Sequence, residues 1–175
     1  MRYPLLVGAL LVPALLGAQQ PAGRKAAVGT KARAAARHVT LTPDRIEWKA
    51  GPAALPAGAQ AAVIDGDPAK PGLFTMRLKL PDGYRIPPHF HAASEHVTVI
   101  SGMFALGQGS EWREGEGTEL EAGGFAVMPP GMRHYAWTRG ETVVQVHAMG
   151  PWKLTYVNKA DDPRTKPKET TGSRP

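Results

Sequence analysis

Glycine and proline interrupt this chain so often that no long helix fits between them. Twenty Gly and 17 Pro stand among 175 residues; proline breaks a helix through its missing N–H and fixed φ, glycine through its backbone entropy. The stretches between them are short and of β type. Leu73 to Leu80 alternates, with Phe74, Met76, Leu78 and Leu80 on one side and Thr75, Arg77 and Lys79 on the other, the period-2 pattern of a strand with one buried face. Pro81-Asp82-Gly83 then supplies a turn. Further runs are His96 to Ile100, Met103 to Leu106, Phe125 to Met128, Arg133 to Thr138, Thr142 to Met149 and Lys153 to Val157. Turn signals at intervals of roughly 8 to 12 residues predict an all-β antiparallel sandwich or barrel. No amphipathic helix, phosphate-cradling glycine loop, nucleophile elbow or internal repeat accompanies them.

The formal charge of +6 invites a nucleic-acid reading until it is placed along the chain. Residues 1–38 carry six basic and no acidic residues, and residues 159–175 carry five basic and three acidic ones. The segment between, Val39 to Asn158, holds 10 basic and 12 acidic residues, so it offers no basic groove and nucleic acid is not expected as a partner. Residues 1–18 read as a secretory signal: Arg2 gives a positive start, Leu5 to Leu16 is almost wholly apolar, and Leu16-Gly17-Ala18 ends in small residues. That apolar run falls short of the roughly 20 residues a spanning helix needs. The expectation is export to the periplasm or medium, with no stable membrane insertion after cleavage. Residues 19–38 then read as a basic flexible linker, 39–158 as one β domain, and 159–175 as a disordered polar tail.

Cysteine is absent, which removes disulfides, thiolate nucleophiles and thiolate metal sites and leaves His and carboxylate as the only strong metal ligands. They are concentrated in one place, Arg85-Ile86-Pro87-Pro88-His89-Phe90-His91-Ala92-Ala93-Ser94-Glu95. Histidines at i and i+2 of an extended segment point to the same side, their origins roughly 6.5 Å apart, so both imidazoles can converge on one ion. Pro87 and Pro88 hold the approach extended. Glu95 is in phase with Val97 and Val99, which turns a carboxylate into the apolar interior, where it needs a cation. Downstream, Pro129-Pro130-Gly131 makes a tight turn and His134 opens the next run. Three neutral imidazoles and one carboxylate suit one divalent transition metal such as Zn, Mn, Fe or Ni, and suit Ca or Mg poorly.

These residues resemble the two signatures of the cupin family. Gly83, His89, His91, Glu95 and Gly102 match the first at every position, and Gly123, Pro129, Gly131 and His134 match the second, which fails only where Thr138 replaces an asparagine. The resemblance implies a small cupin-type, jelly-roll-like antiparallel β-barrel with His89, His91, Glu95 and His134 as ligands. It extends to small exported single-domain bacterial cupins and to the cupin-like domain of zinc-dependent anti-sigma factors. It also implies pairing of two barrels into a homodimer.

Around the ligands, His96 alternates to the opposite face, and Tyr84, Arg85, Arg133 and Tyr135 flank the site in sequence. With Glu95 committed to the metal, Tyr135 and His147 remain as candidate catalytic acid–base groups. Two function classes stay open. One is a metal-dependent enzyme acting on a small molecule by dioxygenase, isomerase or lyase chemistry. The other is a non-catalytic metal- or ligand-binding cupin serving as sensor, store or stress-related module.

Overall fold

The computed structural model describes residues 38–113 and 115–165. The expected signal, nearly all of the expected linker, and the last ten residues of the expected tail lie outside them. Nine strands follow in order: β1 (Lys49–Ala50), β2 (Gln60–Asp65), β3 (Gly72–Leu80), β4 (Arg85–Phe90), β5 (Glu95–Gln108), β6 (Thr118–Leu120), β7 (Phe125–Met128), β8 (His134–Gly150) and β9 (Thr155–Tyr156). Every pairing is antiparallel. Among the described residues the only helical segments are three 3₁₀ turns, so the all-β expectation holds.

The long strands β5 and β8 organise the fold. They run against each other from Glu95 opposite Ala148 to Gln108 opposite His134, with register shifts around Ser101. The sequence divides each into two runs, but the glycines between them bend the strand without ending it. Gly102 has φ +77°, and a Cβ there would stand 2.5 Å from the Glu141 carbonyl oxygen, so the bend needs a residue without a side chain. Thr142, fully buried, locks it by donating from Oγ1 to the Met103 carbonyl at 3.0 Å.

Beyond the bend each long strand changes partners, which folds one continuous sheet into two facing leaves. In one leaf β8 residues 142–150 lie between β3 and the first half of β5, with β2 and β1 outside β3 and β7 outside β5. In the other, β8 residues 134–137 lie between β4 and the second half of β5, with β9 outside β4 and β6 outside β5. This is the curled, jelly-roll-like barrel expected from the sequence. Phe74, Met76, Leu78 and Leu80 are all buried as their alternation predicts, and they meet Val97, Val99, Val144 and Val146 in one core with Ile86, Phe104 and Ala136. Each of these side chains other than Ala136 contributes about 1.5–3 kcal/mol by leaving water.

The chain after Asn158 departs from expectation. Lys159–Asp161 and Pro163–Thr165 wind into 3₁₀ turns where disorder was expected. Arg164 accounts for this: it donates to the Leu154 carbonyl at 3.1 Å and makes a fork with both oxygens of Asp162, a bidentate geometry available only to arginine.

Candidate metal centre

The two prolines of β4 do more than keep the strand extended. Ile86 pairs with Ala136 and His89 with His134, so β4 spends three residues where β8 spends two. Pro87-Pro88 therefore forms a bulge, tolerated because proline has no N–H to contribute to the ladder. The extra residue reverses the alternation, and Ile86, His89 and His91 are all buried. Tyr156 of β9 flanks His89 on the other side.

The remaining groups arrive from three elements. Glu95 opens β5, buried on the same side as Val97 and Val99. The Pro129–Met132 turn, closed by Met132 N–H to the Pro129 carbonyl at 3.1 Å, is tied to the histidine pair by Gly131 N–H to the His91 carbonyl at 2.8 Å. Gly131 takes φ +75° there. His134 follows at the start of β8. All four side chains are buried, at 2–5% exposure, and the ring nitrogens of His89, His91 and His134 lie within 4.8 Å of one another.

Hydrogen bonding decides which nitrogens face the centre. Nδ1 of His89 lies 2.8 Å from the Pro87 carbonyl, Nδ1 of His91 2.9 Å from that of Lys153, and Nδ1 of His134 3.0 Å from that of Met132. A carbonyl only accepts, so each Nδ1 carries the proton and each Nε2 presents a lone pair. Glu95 Oε2 stands 3.2 Å from Nε2 of His91 and 3.8 Å from Nε2 of His134. Nε2 of His91 has no hydrogen-bond partner. Four buried acceptors thus face one another, which repels unless a cation lies among them.

The protonation balance agrees. Burial, reinforced by the neighbouring His134 and His91, pushes His89 down to about 3, and burial likewise lowers His134. For His91 burial opposes the charge, but the Glu95 carboxylate outweighs it and raises its pKa. For Glu95 burial is again opposed, and the His91 contact lowers its pKa. Both shifts favour a positive charge beside the Glu95 carboxylate. Three imidazoles with backbone-anchored Nδ1 atoms form a set able to hold a divalent transition metal.

One contributor is not legible in the sequence. Trp152 donates from Nε1 to Glu95 Oε1 at 3.2 Å and stacks on His91 with centroids 5.2 Å apart and planes at 16°. It fixes both the carboxylate and a ring. No spacing rule connects it to residues some 57 positions away.

The two acid–base candidates, by contrast, are not at the centre. Tyr135 follows inward-facing His134 and so lies on the other side of β8, packed between Trp112 and Trp137, its hydroxyl 2.9 Å from the Glu116 carbonyl. His147 alternates with the buried Val146 and Ala148 and lies on the outer face opposite Thr75 and His96. Its two nitrogens are engaged at 2.9 Å by Thr75 Oγ1 and Gln145 Nε2. The flanking residues point elsewhere too. Tyr84 bonds the Pro56 carbonyl, Arg85 covers Trp112, and Arg133 donates to Ser110. His96 is exposed against Phe125, as its alternation predicts.

The enclosed space beside His89, Glu95 and His134 measures about 30 Å³, enough for one or two waters. Its other walls are aliphatic and aromatic, among them Leu78, Leu80, Val97, Phe104 and Trp152.

Comparison with known proteins agrees with this geometry. Residues 36–153, more than half of the chain, match the family model described as the ChrR cupin-like domain. No curated protein matches. Among solved structures, the chain superimposes on the polyketide cyclase RemF from Streptomyces resistomycificus with 16% identity, 73% of this chain and 90% of that chain covered, and a TM-score of 0.60. It superimposes on KdgF from Halomonas sp. with 20% identity, 65% and 96% covered, and a TM-score of 0.51. A third match is an RmlC-like cupin from Shewanella frigidimarina, with 16% identity, 66% and 94% covered, and a TM-score of 0.50. At these identities the likeness is one of fold. With the matched family model, the two-leaf barrel and the three converging histidines in hand, the chain belongs to the ChrR cupin-like domain family of the cupin superfamily.

Proposed function

We propose that this protein is an exported cupin that holds one divalent transition metal on His89, His91, His134 and Glu95 and acts through it on a small molecule. The observation that carries the reading is the set of buried acceptors, above all the unpartnered Nε2 of His91 3.2 Å from Glu95 Oε2. An ion with these four ligands and a free coordination position supplies Lewis acidity towards a carbonyl or enol group, or, as iron, chemistry with dioxygen. The chain's own part is to orient and to exclude. Backbone carbonyls hold each imidazole in one tautomer, Trp152 holds Glu95, and the apolar walls keep bulk water from the centre. Among the described residues lining the cavity, His89, His134 and Glu95 are the only titratable ones. All three are proposed ligands, so any proton transfer at the centre is left to the substrate itself.

That last observation favours a second reading, a non-catalytic metal- or ligand-binding module. Loading the protein with Fe(II) under anaerobic conditions and adding nitric oxide separates the two. A nitrosyl signal in the electron paramagnetic resonance spectrum means an open position and supports the enzyme reading; loaded protein that stays silent supports a closed, structural ion. The export reading rests on the first eighteen residues of the sequence. The mass of the protein recovered from the cell envelope or medium tests it, with a chain beginning at Gln19 expected and an intact Met1 terminus contradicting it.

A further inference from the structure

The centre has a second, larger space beside it, and its chemistry restricts what can enter. β6 and β7 are the outer strands of the two leaves on the same side, each pairing only with β5. Between them lies a pocket of about 170 Å³. Its walls include Leu120 and Phe125 from these strands and Met132 from the turn before His134. Leu106, Met128 and His134 line both this pocket and the interior cavity, so they form the partition between the mouth and the metal centre. Met128 is unbranched and adaptable, a side chain suited to a partition that yields.

Among the described residues lining the mouth, none carries a formal charge; the polar groups are Gln108, Thr118 and His134. An anion entering here would lose its hydration and find no lining cation in return. An apolar molecule gains by covering Leu120, Met132 and Phe125, the last of which is 55% exposed. As to size, an apolar cavity of about 150 Å³ takes up benzene.

We propose that the ligand of this site is an uncharged, mainly apolar molecule of about the size of a benzene ring, admitted through the β6–β7 mouth against His134, and not an organic anion. The proposal rests on the metal reading for what the molecule meets beyond the partition, but not for the mouth itself.

Phenol and benzoate, one ring with and without a charge at neutral pH, are the probes. Each is titrated into the mature chain with and without zinc while amide chemical shifts are followed, and zinc content is measured separately. Phenol is expected to bind at least tenfold more tightly than benzoate and to shift the amides of Leu106, Met128 and Met132. Leu120→Glu is expected to weaken phenol at least fivefold with zinc content unchanged. Benzoate binding as tightly as phenol, no phenol binding, or phenol shifts confined to other regions would each overturn the inference. If Leu120→Glu fails to fold, the wild-type comparison of the two probes still decides. Phenol binding at the mouth of a chain that takes up none of zinc, manganese, iron or nickel would leave the mouth standing and remove the metal reading.

Discussion

β8 presents histidines to two different environments. His134, at its start, faces inward, with Nδ1 anchored to a carbonyl and Nε2 aimed at a carboxylate and two other imidazoles. His147, thirteen residues later, faces outward with both nitrogens bonded, and the network continues from Gln145 to Arg77 at 3.0 Å. One region has more buried acceptors than donors; in the other each acceptor has a donor. The difference separates a site from a satisfied surface: an uncompensated set of lone pairs calls for a cation, whereas a completed network calls for nothing.

The largest effects should follow from breaking the inner region. His91→Ala and His134→Ala are each expected to lower metal affinity by well over a hundredfold, whereas His96→Ala and His147→Ala should leave it unchanged. Competition with a calibrated chelator checks this, and equal losses in inner and outer variants would erase the distinction. Trp152→Phe keeps a ring against His91 but removes the hydrogen bond to Glu95, and an outer-sphere loss of this kind costs about 10- to 100-fold in metal affinity. No change in that assay would show that the tryptophan only packs.

A pH effect of intermediate size belongs to the metal-free protein. His89 is held near 3 in the folded chain against about 6.5 in an unfolded one. Between those values the unfolded state binds the extra proton, so this contribution is fully present above pH about 6.5 and is lost as pH falls towards 3. His91 acts in the opposite sense, because its raised value favours the folded state on acidification. The His89 part is therefore read as the difference in urea midpoint between wild type and His89→Asn with chelator present. That difference should shrink from pH 7.5 to pH 4.5; a constant difference would contradict the burial effect on His89.

The smallest effects belong to the outer face. Tyr135→Phe removes a hydroxyl bonded to the Glu116 carbonyl, and His147→Ala a ring bonded to Thr75 and Gln145. Each should cost about 1 kcal/mol in denaturant unfolding with metal content intact. A loss of metal in either would return these residues to the site.

Much of the inner region was legible because period-2 alternation governs it. Phe74 to Leu80 read as one buried face, and Glu95 went inward with Val97 and Val99. The bulge at Pro87-Pro88 was visible only as stiffness; its effect on phase depends on the pairing of β4 with β8, which one strand's sequence does not contain. His147 was undecidable for a related reason. Alternation says which residues of β8 share a face, but both faces carry valine, Val143 on one and Val144 and Val146 on the other, so polarity cannot say which is inside. Tyr135, next to inward-facing His134, was legible as facing away from the centre, and only its burial needed the segment holding Trp112 to be seen covering it. Trp152 needed the chain after β8 to be seen returning over the centre.

The most direct test is native mass spectrometry of untagged protein reconstituted with zinc, manganese, iron or nickel, run beside His134→Ala. The account predicts one ion per wild-type chain with at least one of these metals and none on the variant. A wild-type chain that binds none of them, or a variant that retains its ion, would contradict it.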